Sequence, residues 1–453
     1  MSINRSLWGR HPCLPWTGWE ACPTSHLDGG KAIFSRLLTV AALCTALGFA
    51  QTHAITNARI VPVTSAPIER GTIVIRDGKI AAVGARVAVP SGVSKLDATG
   101  LSVYPGWIDA YTSVGLVEIS SVRGSVDTAE LGPFNPQAQA WIAVNPHSEM
   151  IRTARVNGIT TVLVAPSGGR ISGTASSVNL LGNYPNEMTL LPNAGVVINI
   201  PSIHARGRGF SSREGPPESP EARGARVIED MAKLKQYLRE AKAYAEMKSR
   251  LGNKANPAQD LALDAMVPVM RGDRPAIFPA DHFRDIRAAI ELADEFGLKA
   301  IIAGGADAWK VADLLKKKNV PVLYTQVHSL PRTPEDPYDT PFTTPEVLRR
   351  AGIKFAIASG SSEDVRNLPY RAAMAAAYGL ESGDAVKAIT LWPAELLGIA
   401  DRVGSIETGK LANLLVSRGD PLDIRSEIKY VFVQGKLVPL ESRNIELYER
   451  FAR

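Results

Sequence analysis

The sequence predicts an α/β protein: a (β/α)8 TIM-like barrel with a small β-sandwich domain that both chain ends build together. Three observations carry this. Between residues 105 and 401, eight short apolar runs alternate with helical stretches, the order of βαβ units around a parallel sheet. Short strands with tight two-residue turns occupy the flanks, 55–104 and 402–440, and neither flank is long enough to bury a core alone. The chain has 453 residues, which accommodates one large barrel with an appendage.

The first 54 residues read as an N-terminal tail and a signal peptide. Lys31 and Arg36 precede an apolar run, Leu37–Phe49, that is shorter than the ~20 residues needed to cross a bilayer. Small residues follow at Gly48, Ala50, Thr52 and Ala54, so cleavage is expected after Ala50 or Ala54. Residues 1–30 read as a preface translated from a start codon set too early. The alternative is a genuine tail carrying a short buried helix. The expected location is therefore export, periplasmic in a Gram-negative cell, with no stable membrane anchor. The cysteines agree. Cys13, Cys22 and Cys44 are the only three, so the body of the chain has no disulfide framework, thiolate zinc site or cysteine nucleophile. Such scarcity suits an oxidising compartment.

From residue 55 the elements follow in order. Ile55–Val63 alternates, Gly71–Arg76 and Lys79–Gly84 flank an Asp77-Gly78 hairpin turn, and Val93–Leu101 adds a further strand. The barrel strands are expected at Trp107–Tyr111, Thr160–Ala165, Ser176–Leu181, Gly195–Ile200, Pro275–Phe278, Leu298–Ala303, Pro321–Thr325 and Lys354–Ala358. Helices lie between most of them. His282–Phe296 carries Ile286, Ile290 and Ala293 at helical spacing and ends at Gly297. Ala308–Lys318, Pro369–Gly379 and Ser382–Leu391 follow the same logic. Residues 205–274 interrupt the repeat with a Gly/Arg/Ser/Pro-rich loop and a charged helix near Glu221–Arg250, either a lid or a solvated surface helix. At the far end, Ala412–Val416 is a strand, a Gln434-Gly435 turn joins Tyr430–Val433 to Lys436–Val438, and 441–453 reads as a tail.

Charge does not point to nucleic acid. The net charge of +6 comes from 51 basic against 45 acidic residues, and no basic run exceeds Lys316–Lys318. No GxSxG elbow, phosphate-binding loop or zincin helix is present.

The run Tyr104-Pro105-Gly106-Trp107-Ile108-Asp109-Ala110-Tyr111-Thr112-Ser113 resembles the opening of the amidohydrolase superfamily barrel, usually Pro-Gly-x-Ile-Asp-x-His-x-His. Ile55–Ala58, Asp77-Gly78-Lys79-Ile80-Ala81-Ala82-Val83-Gly84 and Asp97-Ala98-Thr99-Gly100 are similar to its lead-in. Ala388-Ile389-Thr390, Pro393-Ala394, Leu397-Gly398 and Gly404–Val416 are similar to its closing segment. The resemblance spans residues 55–440 and points to the exported imidazolonepropionase-like or prolidase-like members. It implies a (β/α)8 barrel with a sandwich from both termini. It also implies a metal-dependent hydrolase of carbon–nitrogen bonds, other than ordinary peptide bonds, in a small amide or cyclic amide.

The resemblance further implies ligand positions for one or two divalent ions: two His on strand one, His on strands five and six, and Asp on strand eight. Here those positions are Tyr111, Ser113, Pro279, Gly304 and Gly360. Pro and Gly cannot ligate through a side chain, and Ser and neutral Tyr are poor zinc ligands. No cofactor is therefore expected, and zinc only if a relocated site uses His204, His282 and His328. Those three are expected near the barrel mouth, where His204 and His328 are candidate substrate contacts. The other mouth candidates are Tyr111, Ser113, Asp281, His282 and Ser361. His147 reads as a turn or helix start, and Asp109 as a structural acceptor. The loop Ser167-Gly168-Gly169 to Ser172-Gly173 is either an anion cradle or an ordinary glycine-rich connection, and Glu335-Asp336 with Asp339 reads as a solvated rim. Two functions remain in view: a hydrolase, or a non-catalytic binding protein that partners an active relative. The expected partners are a small molecule and either a second copy or an active paralogue.

Overall fold

The computed structural model describes residues 52–204, 219–251 and 259–452. The expected signal segment up to residue 51 and residues 205–218 of the expected loop 205–220 lie outside the described residues. Five strands come first: β1 (His53–Ile60), β2 (Ile68–Arg76), β3 (Lys79–Gly84), β4 (Ser94–Asp97) and β5 (Ser102–Pro105). Eight follow: β6 (Trp107–Thr112), β7 (Ile159–Val164), β8 (Ile171–Asn179), β9 (Thr189–Ile198), β10 (Ala276–Ala280), β11 (Ala300–Gly304), β12 (Val322–Tyr324) and β13 (Phe355–Ile357). Three close the chain: β14 (Leu414–Arg418), β15 (Glu427–Val433) and β16 (Lys436–Val438).

Both chain ends share one sheet, in the order β16-β15-β14-β5-β1-β2-β3 with β4 on β1. Its centre is the β14–β5 pairing, Leu414 opposite Pro105 through Ser417 opposite Ser102. The Asp77-Gly78 and Gln434-Gly435 turns have positive φ at both positions, as hairpin turns of this length require. They belong to opposite ends of the strand order, yet they touch. A Cβ on Gly435 would lie 2.7 Å from the Gly78 Cα. The sheet therefore curls until its ends meet, enclosing Ile55, Ile73, Ile75, Val103, Leu414 and Phe432.

The second sheet runs β6 to β13 in chain order. It nearly closes: the Gly360 N–H donates to the Tyr111 carbonyl at 2.9 Å. Side chains alternate along each strand. Ile301 and Ala303 face the interior with Ile108, Leu163, Val197 and Leu323, while Ile302 packs outward against the helices. The expected repeat fails at one place. β8 is antiparallel to both β7 and β9. Only residues 165–170 join β7 to β8, and a parallel crossover takes a dozen or more residues. A short return can only reverse direction. The third strand also begins earlier than expected, at Ile171.

The insertion holds two helices, Pro220–Leu251 and Leu261–Met270. The long one is not a solvated arm. Leu234, Leu238, Ala241, Tyr244 and Ala245 form a buried stripe, Tyr237 stacks on Phe134 with ring centroids 4.6 Å apart, and Asp230 pairs with Arg170. Residues 441–453 are not a bare tail either. Ser442 caps a helix, Arg443–Phe451, and Glu446 meets Arg152 at 3.3 Å. Among the described residues, no helix is long and apolar enough to cross a membrane.

Candidate functional site

Seven barrel strands end at one face, and that face gathers most of the residues singled out above. β6 brings Asp109, which is wholly buried. Its Oδ1 accepts from the backbone N–H of Tyr111 at 3.2 Å and of Ser359 at 3.1 Å. One carboxylate oxygen thus ties the first strand to the segment after the eighth. Its Oδ2 is buried without a hydrogen-bond partner. Thr112 Oγ1 donates to the Ser361 carbonyl at 2.7 Å. Ser361 Oγ lies 3.3 Å from Asp364 Oδ2 and accepts from the Asp364 N–H. Ser113 is half-buried just past β6, and its carbonyl accepts from the Leu116 N–H.

Asp281 follows β10. Its Oδ1 accepts from Gln326 Nε2 at 3.2 Å and from the Ala306 N–H at 3.4 Å. Arg371 lies beneath, on helix Leu368–Ala377, almost fully buried. Its Nη1 donates to the Thr325 carbonyl at 2.8 Å, its Nη2 is 3.5 Å from Asp364 Oδ2, and its Nε has no partner.

The three histidines separate. His204 and His282 stack with ring centroids 3.6 Å apart. His282 Nδ1 accepts from the Arg284 N–H and so caps helix Phe283–Phe296. Burial and then the neighbouring His204 ring push its pKa down. His328 is exposed, and partial desolvation and then Arg371 lower its pKa. Among the described residues, no three His, Cys, Asp or Glu side chains are grouped to hold a metal ion.

At the positions that the resemblance assigns to metal ligands stand Tyr111, Ser113, Pro279, Gly304 and Gly360, which offer neither imidazole nor carboxylate. The backbone also resists replacement. Gly304 has φ +105°, and a Cβ there would come within 2.4 Å of Asp281 Oδ1. Gly360 has φ +80° and faces Thr325.

In the glycine-rich segment, Ser167, Arg170 and Ile171 spend their N–H groups on the Thr128 and Pro133 carbonyls. Asp336 is not a solvated rim residue: it meets Lys310 at 2.8 Å with its side chain 9% exposed, and that ammonium holds its pKa down. His147 lies in the turn before helix Glu149–Val156, which Ser148 caps.

Burial pushes the Asp109 carboxyl up from 3.8 to about 6, against the opposing hydrogen bonds from Ser359 and Tyr111. Between these values the folded chain holds a proton that the unfolded chain has released. Stability is therefore fullest below pH ~4 and falls as pH rises through about 6, a loss of order 3 kcal/mol. Asp109→Asn keeps the acceptor that Tyr111 and Ser359 use. Urea unfolding at pH 4 and pH 7 should show the variant gaining on the parent by about 3 kcal/mol between the two. An equal difference at both pH values would refute the assignment.

Sequence reasoning missed Arg371, Gln326 and Asp364. Arg371 had a readable signal: it sits among Leu368, Ala372 and Ala375 on the apolar face of its helix, where a cation needs a partner. Gln326 and Asp364 had none, since each is one polar residue in a polar loop.

An eight-stranded barrel joined to a sheet from both termini defines a TIM-like barrel with a second, chain-end domain. The amidohydrolase family model matches residues 342–438. An amidohydrolase from Thermotoga maritima superposes with a TM-score of 0.73 at 28% identity, over 85% of this chain and 99% of that one. An imidazolonepropionase from Mesorhizobium japonicum is 23% identical over 402 residues, 83% of this chain and 91% of that one. The amidohydrolase tasK of Hapsidospora irregularis is 21% identical over 388 residues, 81% of this chain, which spans only 39% of that protein's length. Over its closing segment and its fold, the chain is similar to members of the amidohydrolase superfamily.

Proposed function

We propose that this chain binds a small amide-like molecule at the barrel mouth and does not hydrolyse it by the superfamily's metal-dependent route. What supports the reading is that none of the five positions the resemblance assigns to ligands holds a metal-binding side chain, and that Gly304, at φ +105° and against Asp281, disfavours one. What remains at the mouth suits recognition. Asp281, Gln326, Ser361 and Tyr111 provide hydrogen-bonding groups on a rigid frame. No cofactor takes part, and nucleic acid is not a partner. Assembly would be with a second copy or with an active paralogue.

The test is the metal content of the purified mature protein after dialysis, with hydrolysis of a small amide panel. The expectation is sub-stoichiometric zinc and no chelator-sensitive amidase activity. One tightly bound zinc per chain, with activity lost to chelator and restored by zinc, would overturn the proposal in favour of a relocated centre around His204 and His282.

Export belongs to the same proposal, and the start of β1 favours the earlier of the two cleavage points. Ala54 is buried within β1 and pairs with Val74 and Lys95. Cleavage after Ala54 would remove His53 and Ala54 from that strand, whereas cleavage after Ala50 leaves it whole. N-terminal sequencing of the exported protein should therefore read Gln51. An intact Met1 would contradict export, and Ile55 would contradict the choice of site.

A further inference from the structure

Away from the mouth, the seam between the chain-end sheet and the barrel forms an open groove of about 560 Å³, with Asp420 and Glu381 exposed at its edge. Small-molecule sites are commonly about 300–1,000 Å³ and favour domain seams. Val61, Val63, Tyr104 and Leu422 give it apolar walls. Its lining carries both charges: Arg59 and Lys387, Asp420 and Glu381. Arg59 uses its Nε on Glu69 at 3.4 Å, and Lys387 reaches Asp384 at 3.0 Å. Asp420 accepts the Leu422 N–H through Oδ1. Among the described residues, neither Asp420 nor Glu381 forms a salt bridge within 4.0 Å.

A second observation lies in the wall. Val63 has φ +76°, a genuine outlier for a β-branched residue. Its neighbours hold it there. The Pro62 carbonyl accepts from the Ile406 N–H at 3.2 Å, and Thr64 Oγ1 donates to Glu407 at 2.9 Å. Strain of this kind costs about 1–3 kcal/mol, persists only where the surroundings over-determine it, and clusters at ligand clamps. Here it fixes the loop that presents Val63 to the groove.

The charges select the ligand. A simple anion would face Asp420 and Glu381 without compensation, and a simple cation would face Arg59 and Lys387. A neutral hydrocarbon would desolvate all four. We propose that the seam binds a small zwitterion with an apolar side chain, an α-amino acid or close analogue. Its carboxylate lies toward Arg59 and Lys387, its ammonium toward Asp420 and Glu381, and its side chain against Val63, Tyr104 and Leu422. The seam is distinct from the mouth, and the proposal does not rest on the reading of that site.

Titration calorimetry of the full mature chain against the proteinogenic amino acids tests this. At least one apolar amino acid should bind saturably. Its N-acetyl and carboxamide derivatives, each lacking one charge, should bind at least about tenfold more weakly. Asp420→Asn and Arg59→Gln, on different elements, should each weaken binding about tenfold. Val63→Gly should raise the melting temperature of the free protein and weaken binding. Gln326→Ala at the mouth locates the site by leaving amino-acid binding unchanged. The proposal is overturned if no amino acid binds below about 10 mM, if the derivatives bind as well as the parent, or if Gln326→Ala alone abolishes binding.

Discussion

Ending the chain at Arg402 should yield an aggregated protein that does not unfold cooperatively. The cut removes β14, β15 and β16, and with them Leu414, Val416 and Phe432 from the core of the chain-end sheet. Full burial of such side chains is worth roughly 1.5–3 kcal/mol each, so these three and the outward-packed Leu415, Val431 and Val433 contribute ~9–18 kcal/mol. That equals the whole stability of an ordinary domain, about 5–15 kcal/mol. The barrel loses a tie as well. Asn413 Nδ2 donates to Thr161 Oγ1 at 3.0 Å and to Asn179 Oδ1 at 2.8 Å, and its carbonyl accepts from the Gly106 N–H. β5 would then present its free edge where β14 had paired, an invitation to intermolecular strand addition. Light scattering on the fractionated product checks this. A soluble monomer with a single cooperative unfolding transition would show that the N-terminal strands stand without their partners.

The second large effect is on hydrolysis. A catalytic zinc brings the pKa of its bound water from ~15.7 to ~7. At ~1.4 kcal/mol per unit, forming hydroxide without the ion is ~12 kcal/mol harder. General-base assistance from Asp281 or His282 recovers only ~10²–10⁴-fold, or ~3–5 kcal/mol. Amide hydrolysis should therefore sit at least about five orders of magnitude below a metal-loaded relative. Tyr111→His with Ser113→His should not restore it, because Pro279, Gly304 and Gly360 still supply nothing. Adding Gly304→His should lower stability instead, since φ +105° and the 2.4 Å approach to Asp281 both oppose a side chain there. The readouts are amide turnover with and without added zinc, and the melting temperature of each variant. Zinc-dependent turnover in the double variant would contradict the argument.

The fold was largely legible because its signals are local. Asp77-Gly78 and Gln434-Gly435 announce hairpins through the φ > 0 they require, and Gly297 announces the end of its helix. Most barrel strands were visible as apolar runs, since strands buried on both faces carry no polar alternation to confuse them; the third, Ile171–Asn179, carries Ser172, Thr174, Ser176, Ser177 and Asn179 and starts before the expected run. Direction is a different matter. Nothing in the composition of Ile171–Asn179 says that it runs backwards; only the brevity of 165–170 does. The site was less legible for the same reason. The positions that the resemblance assigns to ligands show in the sequence through a motif, but the polar groups of the mouth are held by long-range partners. Arg371 meets Asp364 and Thr325, and Asp281 meets Gln326, through contacts that no spacing rule encodes.

The reversed strand also bears on how the chain assembles. β7, β8 and β9 follow one another directly, so their ladders close short loops at small entropic cost. Closing the barrel asks β13, which begins at Phe355, to find β6, which ends at Thr112. Contacts across such separations form late and slowly. A local meander inside a barrel of otherwise distant pairings offers a seed on which the remaining strands can dock, and the Gly360–Tyr111 seam becomes the last stitch rather than the first.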